Sequence, residues 1–331
     1  MHLTKISVDI GENYNDPERF VECAVLAEKY GFDTVWFGDH FMPWFHGGRR
    51  SSFVWSVMAV ALDRTRRIRV GPDVTCPIGG RFPPAIVAQA SATLDNMYPG
   101  RFQLGVGSGE AINEARFFAS GWPNWKERIA RLAEAVALIR RMWEEEEYFS
   151  FDGMYFSMKD IYLYTRPKTR IPIYFSALGA KAAAFAGIYG DHLVTMGSPQ
   201  RCEEVIFPAF ESAARKAGKD VTRMEKMVLL DVYFGTKEEG LRKLRETGEA
   251  GSLAPEAVGV LDPRKIEDIG HHISEHAIVG TKCFCPNPED IIDVIESYLK
   301  KGTNHVAIST NSFPDKIQMI GEKVLPYFQG K

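Results

Sequence analysis

The 331-residue chain predicts an α/β fold, a closed (β/α)8 barrel of the TIM type. Three observations carry this expectation. Eight strand-like segments recur along the chain, and a helical pattern follows each. No GxGxxG motif opens the first unit, as an open dinucleotide-binding sheet would require. The length exceeds what one average domain needs, but suits one barrel with insertions.

The first strand is expected from Lys5 to Ile10. Asp16 followed by Pro17 reads as an N-cap with proline at the first helical position. The helix FVECAVLAEKY then stops at Gly31, a left-handed cap. A second strand, Thr34 to Phe37, precedes a helix from Ser52 to Asp63. The third strand, Ile68 to Thr75, leads to a helix from Pro84 to Asn96. The fourth, Phe102 to Val106, leads to a long helix from Lys126 to Glu145 with apolar spacing of three and four. YFSFDGMYFSM alternates around Asp152-Gly153 and predicts a hairpin excursion near 148–158. The fifth strand spans Ile171 to Ser176, with a helix from Ala180 to Ile188. The sixth spans His192 to Thr195, with a helix from Glu203 to Ala217, and the seventh spans Met227 to Phe234. Residues 247–281, with several glycines and prolines, are expected as an irregular insertion. A helix from Glu289 to Lys301, an eighth strand from His305 to Thr310 and a closing helix from Pro314 to Tyr327 complete the series. All of 1–331 is read as a single barrel domain.

Composition narrows the function classes. Apolar residues are 45% and charged residues 25%, which excludes disordered, collagen-like and coiled-coil chains. A net charge of −3 provides no basic field for nucleic acid or an anionic membrane. No apolar run approaches the ~18 residues of a membrane span. The opening MHLTKISVDIGEN has no apolar signal segment, so a cytoplasmic location is expected. Five cysteines are too few and odd in number for a disulfide framework.

A barrel places its chemistry at the carboxyl ends of its strands. The second strand ends in Gly38-Asp39-His40-Phe41-Met42-Pro43-Trp44. An aspartate beside a histidine can hold one tautomer, and histidine titrates near neutral pH. Trp44 adds an indole N–H donor. The alternative is that Asp39 caps a turn and His40 is a packed loop residue. The fourth strand ends in Gly105-Val106-Gly107-Ser108-Gly109-Glu110, where glycines let a ligand approach or simply make a tight turn, and Glu110 offers an acid or base. The fifth ends in Ser176-Ala177-Leu178-Gly179-Ala180-Lys181, opening a helix whose N–H groups could hold phosphate. The third ends in Asp73-Val74-Thr75-Cys76-Pro77. No histidine or lysine adjoins Cys76 in sequence, so a pocket wall is expected rather than a nucleophile.

Other features read blandly. His271, His272 and His276 form HHxxxH without an accompanying acid in a fixed helical frame, so no metal site is expected. Cys283 and Cys285 are spaced CxC, not CxxC. Glu144 to Glu147 reads as a solvated helix end, and Arg64, Arg66, Arg67 and Arg69 as water-facing.

The strings FGDHFMPW, AQASATLDNMYPGRFQLGVGSGEAINE and IYFSALGAKAAAFAGIYGDHLVT resemble the bacterial-luciferase-like superfamily. Within it they are similar to the branch that uses coenzyme F420, a deazaflavin, and especially to secondary alcohol dehydrogenases of methanogens. The resemblance implies a TIM barrel of the luciferase-like type, F420 as cofactor, a homodimer, and catalysis by His40, Trp44 and Glu110. It implies cofactor contacts at Asp39, Asp73, Val74, Cys76, Ser108, Gly109, Asn113, Ala177, Leu178, Gly179, Lys181 and Ala182. It also implies a substrate pocket at Thr195 and Met196, and a non-prolyl cis peptide at Asp73-Val74.

Sugar-phosphate members carry a lysine just after the sixth strand and further bases later. Here the sixth strand runs into Met196-Gly197-Ser198-Pro199, and Leu253 to Val258 contains no base. Lys282 lies in the region of the family's arginine. A buried phosphate without counter-charges is strongly disfavoured, so a small alcohol or ketone is the expected substrate. The expected reaction moves a hydride to the cofactor while His40, oriented by Asp39, removes the hydroxyl proton and Trp44 and Glu110 polarise the oxygen. The reverse assignment, Glu110 as base and His40 as donor, stays open. Alternatives are glucose-6-phosphate dehydrogenase, methylenetetrahydromethanopterin reductase, an FMN-dependent monooxygenase and a non-catalytic flavin-binding protein.

Overall fold

Backbone pairing brings the eight expected strands side by side. The computed structural model describes residues 4–11, 16–311 and 313–329. The barrel strands are Lys5–Ile10 (β1), Thr34–Phe37 (β2), Arg69–Pro72 (β3), Leu104–Val106 (β4), Ile173–Ser176 (β5), His192–Thr195 (β6), Lys226–Tyr233 (β7) and His305–Ser309 (β8). They pair in parallel in the order β3-β2-β1-β8-β7-β6-β5-β4. The ring closes between β3 and β4 through two isolated bridges, Val70 with Phe102 and Thr75 with Val106. The fold is the α/β barrel that the sequence predicts.

Alternation along the strands sorts side chains between two layers. Val8, Val35, Val70, Leu104, Leu193, Val228 and Ile308 face the helices and join the main core. Trp36, Tyr174, Val194, Met227 and Ala307 fill the barrel interior. The Trp36 indole is large enough to dictate its neighbour. A Cβ on Gly71 would lie 2.7 Å from that ring and 2.6 Å from the Gln103 carbonyl, so only glycine fits there.

The end where the strands start is closed by a polar cluster. Ser7 Oγ lies 2.7 Å from His305 Nε2, whose Nδ1 lies 2.7 Å from Glu225. Tyr174 donates to the same carboxylate at 2.8 Å, and Lys5 pairs with it at 2.5 Å. The geometry resembles a hydrolytic triad, but Ser7 and His305 are fully buried, and the cluster is a structural plug.

Several elements depart from expectation. Asp16 stands at the N-cap of Pro17–Tyr30 but its side chain makes no cap hydrogen bond, and its carboxylate pairs with Arg50 at 3.0 Å. The hairpin pairs Phe149–Asp152 with Ser157–Ile161, and its turn is the four-residue stretch 153–156, closed by Gly153 N to Phe156 O. A helix over Lys237–Thr247, with a Thr236/Glu239 capping box, was not anticipated. Residues 247–281, expected to be irregular, are instead helical. Glu249–Leu253 and Pro255–Gly259 are 3-10 turns, and Pro263–His272 and Glu275–Val279 are α-helices. The prolines that read as breaks sit at the first positions of their helices, and Asp262 and Ser274 cap the two α-helices. This segment roofs the barrel mouth: Ala257, Val260 and Ile266 pack against Met42, Trp44 and Ile112. A two-residue strand, Cys283–Phe284, follows it and pairs with β7. No helix among the described residues is long and apolar enough to cross a membrane.

Candidate active site

The strand ends converge at one mouth. The turn Ala111–Glu114 directly after β4 projects Asn113 toward the β2 loop. Asn113 Oδ1 accepts from the backbone N–H of Phe41 at 3.0 Å and of Met42 at 3.2 Å. Its amide nitrogen donates to His40 Nδ1 at 2.9 Å and to Glu110 Oε2 at 3.3 Å. The Trp44 and His40 ring centroids are 5.4 Å apart. His40 and Glu110, singled out in sequence from two loops, therefore meet at one buried amide, with Trp44 beside the His40 ring.

One expected contact is different in kind. Asp39 was expected to orient His40, and it does not. Its side chain is buried, bonded by Thr75 Oγ1 at 2.5 Å and paired with Arg81. Asn113 is a side chain that bonds His40, at Nδ1. Asn113, an expected cofactor contact, has its two acceptor and two donor positions filled by Phe41, Met42, His40 and Glu110.

Sequence reasoning missed Arg81 and Glu114. Glu114 lies one turn beyond Glu110 and points inward, 4.0 Å from Arg81. Burial pushes its carboxyl up to about 7, against the pull of Arg81. Its Oε2 has no hydrogen-bond partner among the described residues. The i, i+4 spacing from Glu110 was visible, but the inward direction of one carboxylate and the outward direction of the other was not.

The glycine-rich end of β4 is explained by packing. The Asp73-Val74 peptide is cis, and this bulge lies against β4. Gly107 donates its N–H to the Thr75 carbonyl at 3.0 Å, and a Cβ on Gly107 would sit 2.5 Å from Val74 Cγ2. Gly109 has φ +75°, and a Cβ there would meet Cys76 Sγ at 2.5 Å. Cys76 is buried, and burial holds its thiol well above the ordinary range, so it forms wall and no nucleophile. The Ser108 carbonyl accepts from Arg128 at 3.2 Å.

On the opposite side, Ala177 is buried and Leu178 exposed. Gly179 starts the helix Ala180–Tyr189 with no side-chain cap, so the N–H groups of its first turn, beside Lys181 and Ala182, are open to an anion. Arg201 reaches this turn and donates to the Leu178 carbonyl at 3.2 Å. The Thr195 hydroxyl is turned to the Ala177 carbonyl at 2.6 Å, so it offers the pocket no donor, while Met196 is half-buried beside it. His271, from HHxxxH, bonds the Arg245 carbonyl at 2.6 Å.

A family model described as luciferase-like monooxygenase matches residues 1–298. The chain belongs to the luciferase-like family. An F420-dependent glucose-6-phosphate dehydrogenase of Rhodococcus erythropolis is 36% identical over 294 residues, covering 88% of this chain and 87% of that protein. The solved structure of an F420-dependent secondary alcohol dehydrogenase in complex with an F420-acetone adduct is 37% identical, with a TM-score of 0.90 and 98% of each chain covered. The coenzyme F420-dependent tetrahydromethanopterin reductase from Methanopyrus kandleri, at 19% identity and a TM-score of 0.74 over 99% of this chain and all of that one, shares the fold. This luciferase-like barrel thus resembles two F420-dependent dehydrogenases with different substrates over 88% and 98% of its length.

Proposed function

We propose that this chain is an oxidoreductase that moves a hydride from a small secondary alcohol to coenzyme F420, producing a ketone. The residues present fit the cofactor. Val74, packed on Gly107, and Cys76, packed on Gly109, form one wall. The open helix N-terminus at Gly179, with Lys181 and Ala182, suits an anionic tail. When bound, F420 supplies a ring carbon that accepts a hydride. The protein must then hold the alcohol oxygen and remove its proton. Trp44 supplies an indole donor, and of His40 and Glu110 one accepts the proton while the other donates a hydrogen bond.

The observation that carries the substrate class is Lys282. It lies in the region where the resemblance places an arginine in sugar-phosphate members, but its ammonium is bonded to Asp231 at 2.7 Å and lies 4.0 Å from Glu249. Two carboxylates already compensate it, so a phosphate dianion beside them would meet net repulsion. The end of β6, Met196 to Pro199, adds no base. An uncharged alcohol matches this lining better than glucose 6-phosphate does.

The test is to mix the protein with oxidised F420 and 2-propanol and follow the cofactor's visible absorbance. Bleaching with acetone formation is expected. Bleaching with glucose 6-phosphate and none with simple secondary alcohols would overturn the reading.

A further inference from the structure

We propose that Asn113 is a positioning residue that fixes neutral His40 with its proton on Nε2, which makes His40 a hydrogen-bond donor to the substrate oxygen and leaves proton removal to the Glu110 carboxylate. The inference rests on the reading above, in which His40 and Glu110 serve an alcohol. It is drawn from the hydrogen-bond inventory of one side chain.

An asparagine amide can face either way, and its partners decide which. The backbone N–H groups of Phe41 and Met42 only donate, and both point at the same Asn113 atom, at 3.0 and 3.2 Å. That atom must be the oxygen. The amide nitrogen is then turned to His40 Nδ1 at 2.9 Å and Glu110 Oε2 at 3.3 Å. An amide nitrogen only donates, so His40 Nδ1 must present a lone pair. A neutral imidazole carries one proton, which is therefore on Nε2. In that state Nε2 cannot take a proton from the alcohol, because it already carries one. Placing the proton on Nδ1 would set two donors against each other at 2.9 Å, within a residue that is buried and otherwise saturated.

The second amide hydrogen falls on Glu110, whose carboxylate oxygen accepts it. The step then balances as follows. The alcohol O–H bond breaks, and its proton forms a bond to a Glu110 oxygen. The electron pair left on oxygen forms the carbonyl, and the C–H pair leaves as hydride to oxidised F420. His40 Nε2–H donates to the oxygen throughout and changes no protonation state. Glu110 is exposed, so the proton it takes can pass to water.

The experiment is a long-range 1H–15N spectrum of the protein labelled with 15N-histidine, at alkaline pH where imidazole is neutral. The His40 signals are assigned by their loss in His40→Gln. In the native chain, Nε2 is expected to show the shift of a protonated ring nitrogen and Nδ1 that of an unprotonated one. In Asn113→Asp the carboxylate can still accept from the two backbone N–H groups, but it can no longer donate to His40. The tautomer is then expected to reverse, and kcat for 2-propanol to fall at least tenfold with a smaller change in KM. A purely structural role for Asn113 would leave the tautomer unchanged. A proton on Nδ1 in the native chain, or the same tautomer in both proteins, would overturn the inference. The spectra need neither alcohol nor cofactor, so their failure is separate from failure of the alcohol assay.

Discussion

Lys282 and Asp231 hold one another at 2.7 Å, with only 7% of the lysine side chain exposed. Burial alone would lower the ammonium's pKa, but Asp231 and Glu249 outweigh it and hold the group above its ordinary value. The lysine is therefore part of the barrel's internal charge balance. Lys282→Met leaves two carboxylates without their cation and is expected to destabilise the protein by about 3 kcal/mol. Urea unfolding measures this. Lack of any effect would show that the lysine is free for a ligand, and would return the sugar-phosphate reading to contention.

Gly109 and Gly121 separate backbone strain from packing. Both have positive φ, +75° and +89°. A Cβ on Gly121 meets nothing within 4 Å, whereas one on Gly109 meets Cys76 Sγ at 2.5 Å and Glu114 Cγ at 3.0 Å. Gly121→Ala is expected to cost about 1 kcal/mol from conformation alone. Gly109→Ala is expected to cost at least about 2 kcal/mol more, from overpacking, and to weaken F420 binding in a fluorescence titration. Equal losses of stability in the two variants would refute the packing explanation of the glycine-rich loop.

Two buried groups give stability an optimum between acid and alkaline pH. Burial pulls the His192 imidazole down to about 4, against the pull of Glu225, and its Nδ1 accepts the Glu225 backbone N–H at 3.0 Å. A histidine depressed on folding contributes stability that is present above its ordinary pKa of ~6.5 and is lost as pH falls toward the folded value. Glu114 works in the other direction. Its carboxyl is raised to about 7, so its contribution is complete below the ordinary ~4.3 and is lost as pH rises through 7. Glu114→Gln is therefore expected to gain on the native protein, by about 2 kcal/mol, between pH ~5 and pH ~8. Tm difference curves across that range check it, and a flat difference would contradict the buried-carboxyl account.

Much of the site was legible because residues adjacent in sequence shared one strand end. His40 and Trp44 sit on one loop, and Glu110 opens the turn after β4, where barrel geometry puts reacting groups. The partners of those residues were not legible. Asp39 looked like the support for His40 because it precedes it, yet neighbouring residues on an extended chain point in opposite directions. Asp39 instead meets Thr75 and Arg81, 36 and 42 residues away, and His40 meets Asn113, 73 residues away. The glycines after β4 looked like room for a ligand, when the space is filled by Val74 and Cys76 from the neighbouring bulge.

The sequence by itself determined the eight strands, most of the helices that follow them and the loops that carry chemistry. Those features follow from side-chain periodicity and local sterics, which act over a few residues and need no knowledge of the rest of the chain. The tertiary structure alone decided that 247–281 folds into helices over the mouth, that Lys282 is matched by Asp231, and that one amide links His40 to Glu110. Each of these depends on ring closure bringing distant strand ends within hydrogen-bond range, and no local pattern records which donor will then face which acceptor.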